Sequence, residues 1–121
     1  MSKAMEAAAC VQVLPDRDGA RVIVCSGEFD LDSEAVLRQA LETAKSEGAT
    51  RTVVDLAGVS FADSSMLNTL IRTHHRQHLV LAGPLTPQVT RLLEITGVDA
   101  VLNIAADTAD AIATRPADLP R

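Results

Sequence analysis

The sequence predicts an α/β domain: a mixed, mostly parallel sheet of four to five strands, an N-terminal hairpin and three to four helices. Three observations predict it. Short apolar runs alternate with helical patterns after an opening pair of strands. The second of these, "ARVIVCSG", is a nearly unbroken apolar run, as in strands covered on both faces. Gly, Pro, Asp and Ser punctuate the joins. The 121 residues suit one domain, and a 47% hydrophobic content supports a core. Phe29 and Phe61 are the only aromatic residues, so that core is aliphatic.

In chain order, "VQVL" and "ARVIVCSG" read as strands over 10–14 and 20–27, joined through the turn "PDRDG" as a hairpin. "FDLDSEAVLRQALETAKSEG" reads as a helix with Asp32 or Ser33 as its cap. Glu34 and Lys45 suit the two ends of its dipole. Val36, Leu37, Ala40, Leu41 and Ala44 form its apolar stripe, and Gly48 ends it. A strand follows at about 51–57. The next helix spans 64–76, with Met66, Leu67, Leu70 and Ile71 facing inward. "HLVLAG" supplies a short strand at 78–82. "LTPQVTRLLEITG" supplies a third helix, with Thr86 as N-cap, Pro87 in the first turn and Gly97 after the end. "AVLNI" reads as a last short strand, and "DTADAIAT" as a final amphipathic turn or two. The domain is expected over 10–113, between tails at 1–9 and 114–121.

The formal net charge is -5 and the pI near 5.0. An acidic chain without Trp or Tyr argues against nucleic acid, which calls for basic patches and stacking rings. It also lacks the polybasic face that anionic membranes attract. No signal peptide is legible in "MSKAMEAAACVQVL", and no apolar run approaches the roughly 18 residues of a membrane helix. A soluble, cytoplasmic protein is expected. Cys10 and Cys25 have no metal spacing and read as free thiols, with Cys25 in the core. With no Gly-rich phosphate loop, no cofactor is expected.

The stretch "VSFADSSMLNTL" carries the chemistry. Asp63, Ser64 and Ser65 stand where a strand gives way to a helix, the kind of junction at which α/β sheets gather function. Three readings are open. Asp63 or Ser64 caps the helix and does nothing more. Alternatively, a serine is a nucleophile, but the G-x-S-x-G elbow is absent. Ala62 and Met66 flank Ser64, and Asp63 and Leu67 flank Ser65, while the histidines of "HHRQH" fall at the far end of the helix. In the third reading a serine accepts a phosphate. A helix N-terminus tolerates an anion, and the added charge beside Asp63 repels a partner without unfolding the domain.

The blocks "GEFDLDSEAVLRQAL", "VVDLAGVSFADSS" and "HLVLAGPLTPQVTRLLEITGVDAVLNI" resemble a STAS domain, the fold of bacterial anti-sigma factor antagonists. The resemblance covers about residues 10 to 113, and the Asp-Ser-Ser triplet is its most specific feature. It implies a STAS fold and a non-enzymatic, partner-switching role. The unmodified domain binds an anti-sigma factor, a serine kinase of the GHKL type, and so frees a sigma factor. The kinase then phosphorylates a serine and ends the interaction, and a PP2C-type phosphatase restores it. The phosphorylated position maps onto Ser65, with Ser64 the second choice. Asp63, Ser64, Ser65 and Met66 map onto the docking surface, and ATP belongs to the partner. Glu28 and Asp30 fall in the family's loop before the first helix and join that surface, or act only as turn residues and a cap.

The chain departs from the family pattern twice. Met66-Leu67 stands where the family has Gly-Leu, which adds bulk or, if the Met is exposed, an adaptable contact. "TLIRTHHRQHLVLAG" enters the next strand without a Gly turn, shortening the segment by more than one turn. A rival reading is a non-switching STAS interaction module in a signalling assembly or lipid transporter. His74 and His78 are four apart, but no carboxylate or Cys stands at matching spacing. No metal is expected, and with Arg72 and Arg76 they read as a solvated polar face. Phe29 and Phe61 read as packing residues.

Overall fold

The computed structural model describes residues 8–114. The expected tails at 1–9 and 114–121 fall almost wholly outside them. The strands are β1 (Cys10–Val13), β2 (Ala20–Phe29), β3 (Arg51–Ala62), β4 (Leu79–Ala82) and β5 (Asn103–Ala105). The helices are α1 (Glu34–Ser46), α2 (Ser64–His74), α3 (Pro87–Thr96) and α4 (Thr108–Ala113), with a 3-10 turn at Val98–Ala100. The five strands form one sheet in sequential order. β1 is antiparallel to β2, and the other neighbours are parallel. This is the mixed, mostly parallel α/β architecture with an N-terminal hairpin.

Alternation along the strands sorts their side chains between two layers. Ile23, Cys25, Val54, Leu56, Leu79 and Leu81 pack with residues of α1, α2 and α3. Val22, Val53, Val80 and Ala82 pack on the other side with Ala111 and Ile112 of α4. The unbroken apolar runs thus have helices on both faces. Cys10 lies opposite Ser26, whereas Cys25 lies opposite Val11. The two thiols therefore point to opposite faces of the sheet and remain free, Cys10 exposed and Cys25 buried. Burial, with Asp55 nearby, pushes the Cys25 thiol up to about 12.

Several boundaries and contacts differ from expectation. β3 does not stop near 57 but continues to Ala62, because its distal half stays paired with β2. Its register shifts between Val24/Ser26 and again between Gly27/Glu28, so β3 spends extra residues along the same length. β2 likewise runs to Phe29, which puts Glu28 inside the strand rather than in the loop. Neither Asp32 nor the side chain of Ser33 caps α1. The carboxylate of Asp30 accepts from the N–H groups of Asp32 and Ser33 and from the Ser33 hydroxyl, and so shapes the turn from upstream. Val36 leaves the α1 stripe and is exposed, while Leu37, Leu41 and Ala44 are buried. Thr86 occupies its N-cap position, but its hydroxyl donates to the carbonyl of Val59 instead of capping α3. Gly48 and Gly97 end α1 and α3 with left-handed φ values of 80° and 76°.

Candidate functional site

Phe29 at the end of β2 lies opposite Ala62 at the end of β3, and the Asp63 N–H donates to the Phe29 carbonyl at 3.2 Å. These pairings bring the turn after β2 and the start of α2 to the same end of the sheet, at the carboxyl ends of its strands. Asp63, half-buried, caps α2. Its Oδ1 accepts from the Ser65 N–H at 2.9 Å and the Met66 N–H at 3.4 Å, satisfying two of the donors that a helix start leaves unpaired. The capping reading of Asp63 therefore holds.

The cap settles how the serines are presented. Ser64 is exposed and Ser65 half-exposed in the first turn of α2, where the helix dipole is positive. Neither hydroxyl is hydrogen-bonded to another described residue. A shallow groove lined by Leu67, Asn68, Ile71, Thr96 and Val98 leads from both serines toward the end of α3. Glu28 and Asp30 are exposed at the same end of the sheet, on the far side of the Phe29–Ala62 pairing.

Met66 is buried at 1% exposure and joins the core instead of the surface. It lies one turn before Leu70, on the face that α2 turns toward the sheet. The expected surface contact from this residue is therefore corrected. Phe29 packs in the core as expected, but Phe61 is 39% exposed. Phe61 belongs to the distal half of β3, beside the second register shift, and its partner in β2 is Glu28. Leu31, in the turn after β2, is 73% exposed. Both place apolar surface at this end of the sheet; the packing expected of Phe61 is corrected, and Leu31 was not singled out in the sequence. The one available signal for Leu31 was an isolated Leu between two acids in "FDLDS".

His74 ends α2 nine residues after Ser65, roughly 14 Å along a helix axis, so no histidine on α2 assists the serine hydroxyls. Among the described residues no group of three or more His, Cys, Asp or Glu could hold a metal ion. No helix among them is long and apolar enough to cross a membrane.

Two residues at the start of α3 hold the site in place. Gln88, in the first turn of α3, bonds both the N–H and the carbonyl of Ala62. Thr86 holds the Val59 carbonyl on the same flank of β3.

Comparison with known proteins agrees with this architecture. The crystal structure of an anti-sigma factor antagonist from Mycobacterium paratuberculosis superposes with a TM-score of 0.79 at 26% identity, covering 87% of this chain and 92% of that one. The anti-sigma factor antagonist SpoIIAA in its unphosphorylated form gives a TM-score of 0.65 at 22% identity, over 80% of this chain and 89% of the other. The Bacillus cell fate determinant SpoIIAA in the phosphorylated form gives 0.60 at 21% identity, over 80% and 92%. The two SpoIIAA structures share the fold. No curated protein sequence matches. The family model described as "Mlab, STAS domain" matches residues 13–104, and with the sheet order and the helix layers it shows that this chain belongs to the STAS domain family.

Proposed function

We propose that this protein is an anti-sigma factor antagonist. It binds an anti-sigma factor of the serine-kinase type, releases a sigma factor, and is switched off by phosphorylation of Ser65. The observation that carries the reading is the first turn of α2, where Asp63 engages the Ser65 N–H while the Ser65 hydroxyl bonds no described residue, at the end of the sheet that also holds Glu28, Asp30, Leu31 and Phe61. The likeness to the mycobacterial antagonist supports it.

The physics of the switch follows from that geometry. The exposed apolar groups and the groove supply contact area, and Asp63, Glu28 and Asp30 supply polar specificity. A phosphate on Ser65 adds roughly 1.5 to 2 negative charges next to Asp63. It competes with the Asp63 carboxylate for the first N–H groups of α2, while the helix dipole keeps the domain folded. A like-charge cluster then faces the partner and weakens docking. The domain performs no chemistry of its own in this reading: the kinase brings ATP, and a PP2C-type phosphatase removes the phosphate. In this reading the protein is cytoplasmic, carries its phosphate on Ser65 and has no enzymatic activity.

A second reading, a non-switching STAS interaction module in a signalling assembly or lipid transporter, draws on Met66, which stands where the switching pattern has Gly. The deciding experiment is purification from the native host with bound partners, followed by phosphosite mapping by mass spectrometry. The switch requires phosphate on Ser65 and an ATPase-kinase recovered only with the unmodified form. An unmodified Ser65 under every growth condition, with a transporter or scaffold bound, selects the module.

A further inference from the structure

We propose that the cleft between α1 and α2 is an anion-binding site for a small phosphorylated ligand carrying at least two negative charges. This inference stands apart from the reading of Ser65. Both helices return antiparallel to the strands, so they lie side by side on one face of the sheet. Between them is a cavity of about 320 Å³. Arg38 and Lys45 enter it from α1, and Arg72 and Arg76 from α2 and the turn that follows. Glu42 is the one carboxylate among its lining residues.

The concentration of positive charge runs against the composition of the chain, whose formal net charge is -5. Arg38 has a partner in Glu34 at 3.4 Å, and Glu34 also accepts from the Thr69 hydroxyl. Lys45, Arg72 and Arg76 make no ion pair with any described residue. Arg72 stands in the last turn of α2 and Arg76 in the turn that follows, so two guanidinium groups gather at one helix end. The helix dipole accounts for cations at the C-terminal ends of the two helices, Lys45, Arg72 and Arg76, but not for Arg38 near the start of α1. Nor does it account for their convergence on one cleft.

The walls favour a compact ligand. The cavity falls at the lower end of the range for small-molecule sites, about 300–1,000 Å³. Leu41 is buried beneath it, and Gln77 closes one end, donating to the Leu41 carbonyl and accepting from the Thr52 hydroxyl. Three guanidinium groups and one ammonium line the cleft, and arginine is the side chain that grips phosphate oxygens bidentately. An acidic protein segment needs a longer, more open groove.

The test is a titration of the isotopically labelled full chain with inorganic pyrophosphate, following the arginine Nε–H resonances by NMR. The expected result is saturable shifts of Arg38, Arg72 and Arg76 that persist at physiological salt, where screening extends over about 8 Å. Arg72→Ser combined with Arg76→Ser should weaken binding by about tenfold or more while leaving the thermal midpoint close to wild type. Arg17→Ser, outside the cleft, should leave binding unchanged. Shifts that never saturate, or that are as large at Arg17 and Arg91, would overturn the proposal. Equal losses for the cleft and control variants would also overturn it, reducing the effect to net charge. Binding to anionic phospholipid vesicles without binding of pyrophosphate would replace the small ligand with a membrane surface.

Discussion

The side-chain amide of Gln88 closes on the backbone of Ala62 from both sides. The Ala62 N–H donates to Gln88 Oε1, and Gln88 Nε2 donates to the Ala62 carbonyl, each at 2.9 Å. The reason lies in the unequal strand lengths. β4 pairs with β3 only as far as Asp55↔Ala82, whereas β3 runs on to Ala62. Beyond Asp55, one flank of β3 has no strand beside it, and Gln88 and Thr86 take a strand's place. Ala62 directly precedes the Asp63 cap, so the start of α3 positions the serine-bearing turn.

Gln88→Ala should destabilise the domain by about 1–3 kcal/mol, because it strips two backbone groups of their partners. Hydrogen exchange should quicken at Ala62 and Ser65 more than in β4. Chemical denaturation gives the first quantity and exchange the second. An unchanged exchange rate at Ser65 would separate Gln88 from the positioning of the turn.

Asp63→Ala removes the acceptor for the first N–H groups of α2 and should cost about 1 kcal/mol. Asp63→Asn keeps an acceptor and should recover most of that. Circular dichroism with urea titration checks both. In the proposed switch, Asp63→Ala should also reduce partner affinity, which calorimetry measures separately from folding.

Ser65→Ala and Ser65→Asp should differ little in stability, since the hydroxyl has no described partner and a helix N-terminus accepts an acid. They should differ in binding. Ser65→Ala should retain an anti-sigma partner and resist phosphorylation, while Ser65→Asp should bind more weakly. Equal affinities of wild type and Ser65→Asp would count against the electrostatic account.

Asp55 joins two distant parts of the fold. Its Oδ1 accepts from the Ala57 N–H at 2.9 Å, at the first register shift of β3, and its Oδ2 accepts from the Thr108 hydroxyl at 3.0 Å, at the start of α4. Asp55→Ala should cost about 1–3 kcal/mol and speed exchange in α4. A loss confined to α4, with β3 exchange unchanged, would show that the bulge holds without the carboxylate.

The thiols should report the two faces of the sheet. A disulfide-exchange reagent at mildly alkaline pH should modify Cys10 rapidly and reach Cys25 only in denaturant. The thiol of Cys25 titrates at about 12 in the folded chain, against an ordinary value of 9.0. The folded state keeps its proton where the unfolded state loses it. That contribution to stability is complete below about pH 9 and falls as pH rises toward 12. Cys25→Ala should flatten this alkaline decline, which denaturation curves across the window would measure.

Local pattern made much of this protein legible. The unbroken apolar run of β2 identified a strand covered on both faces, and apolar runs marked β3 and β4 as strands. Gly48 and Gly97 marked helix ends that demand left-handed backbone. Asp63 announced its cap, because an acid one residue before a helix acts on N–H groups only two and three residues away. Such signals survive in a single sequence because their partners are near neighbours in the chain.

Other features depended on partners far away in sequence. Gln88 reads as an ordinary residue in the first turn of a helix until Ala62, 26 residues earlier, is placed beside it. Arg72 and Arg76 read as part of a solvated polar face until α1 and α2 lie side by side. Met66 could have been core or contact surface, and the rotation of α2 on the sheet put it inside. β3 outran its expected end because pairing with β2 continued past the point where its apolar pattern faded. By itself, the sequence determined which segments are helices and strands and where an acid and two hydroxyls meet a helix start. The tertiary structure alone decided which side chains converge, because convergence depends on sheet register and helix rotation, and these are set by packing across the whole domain.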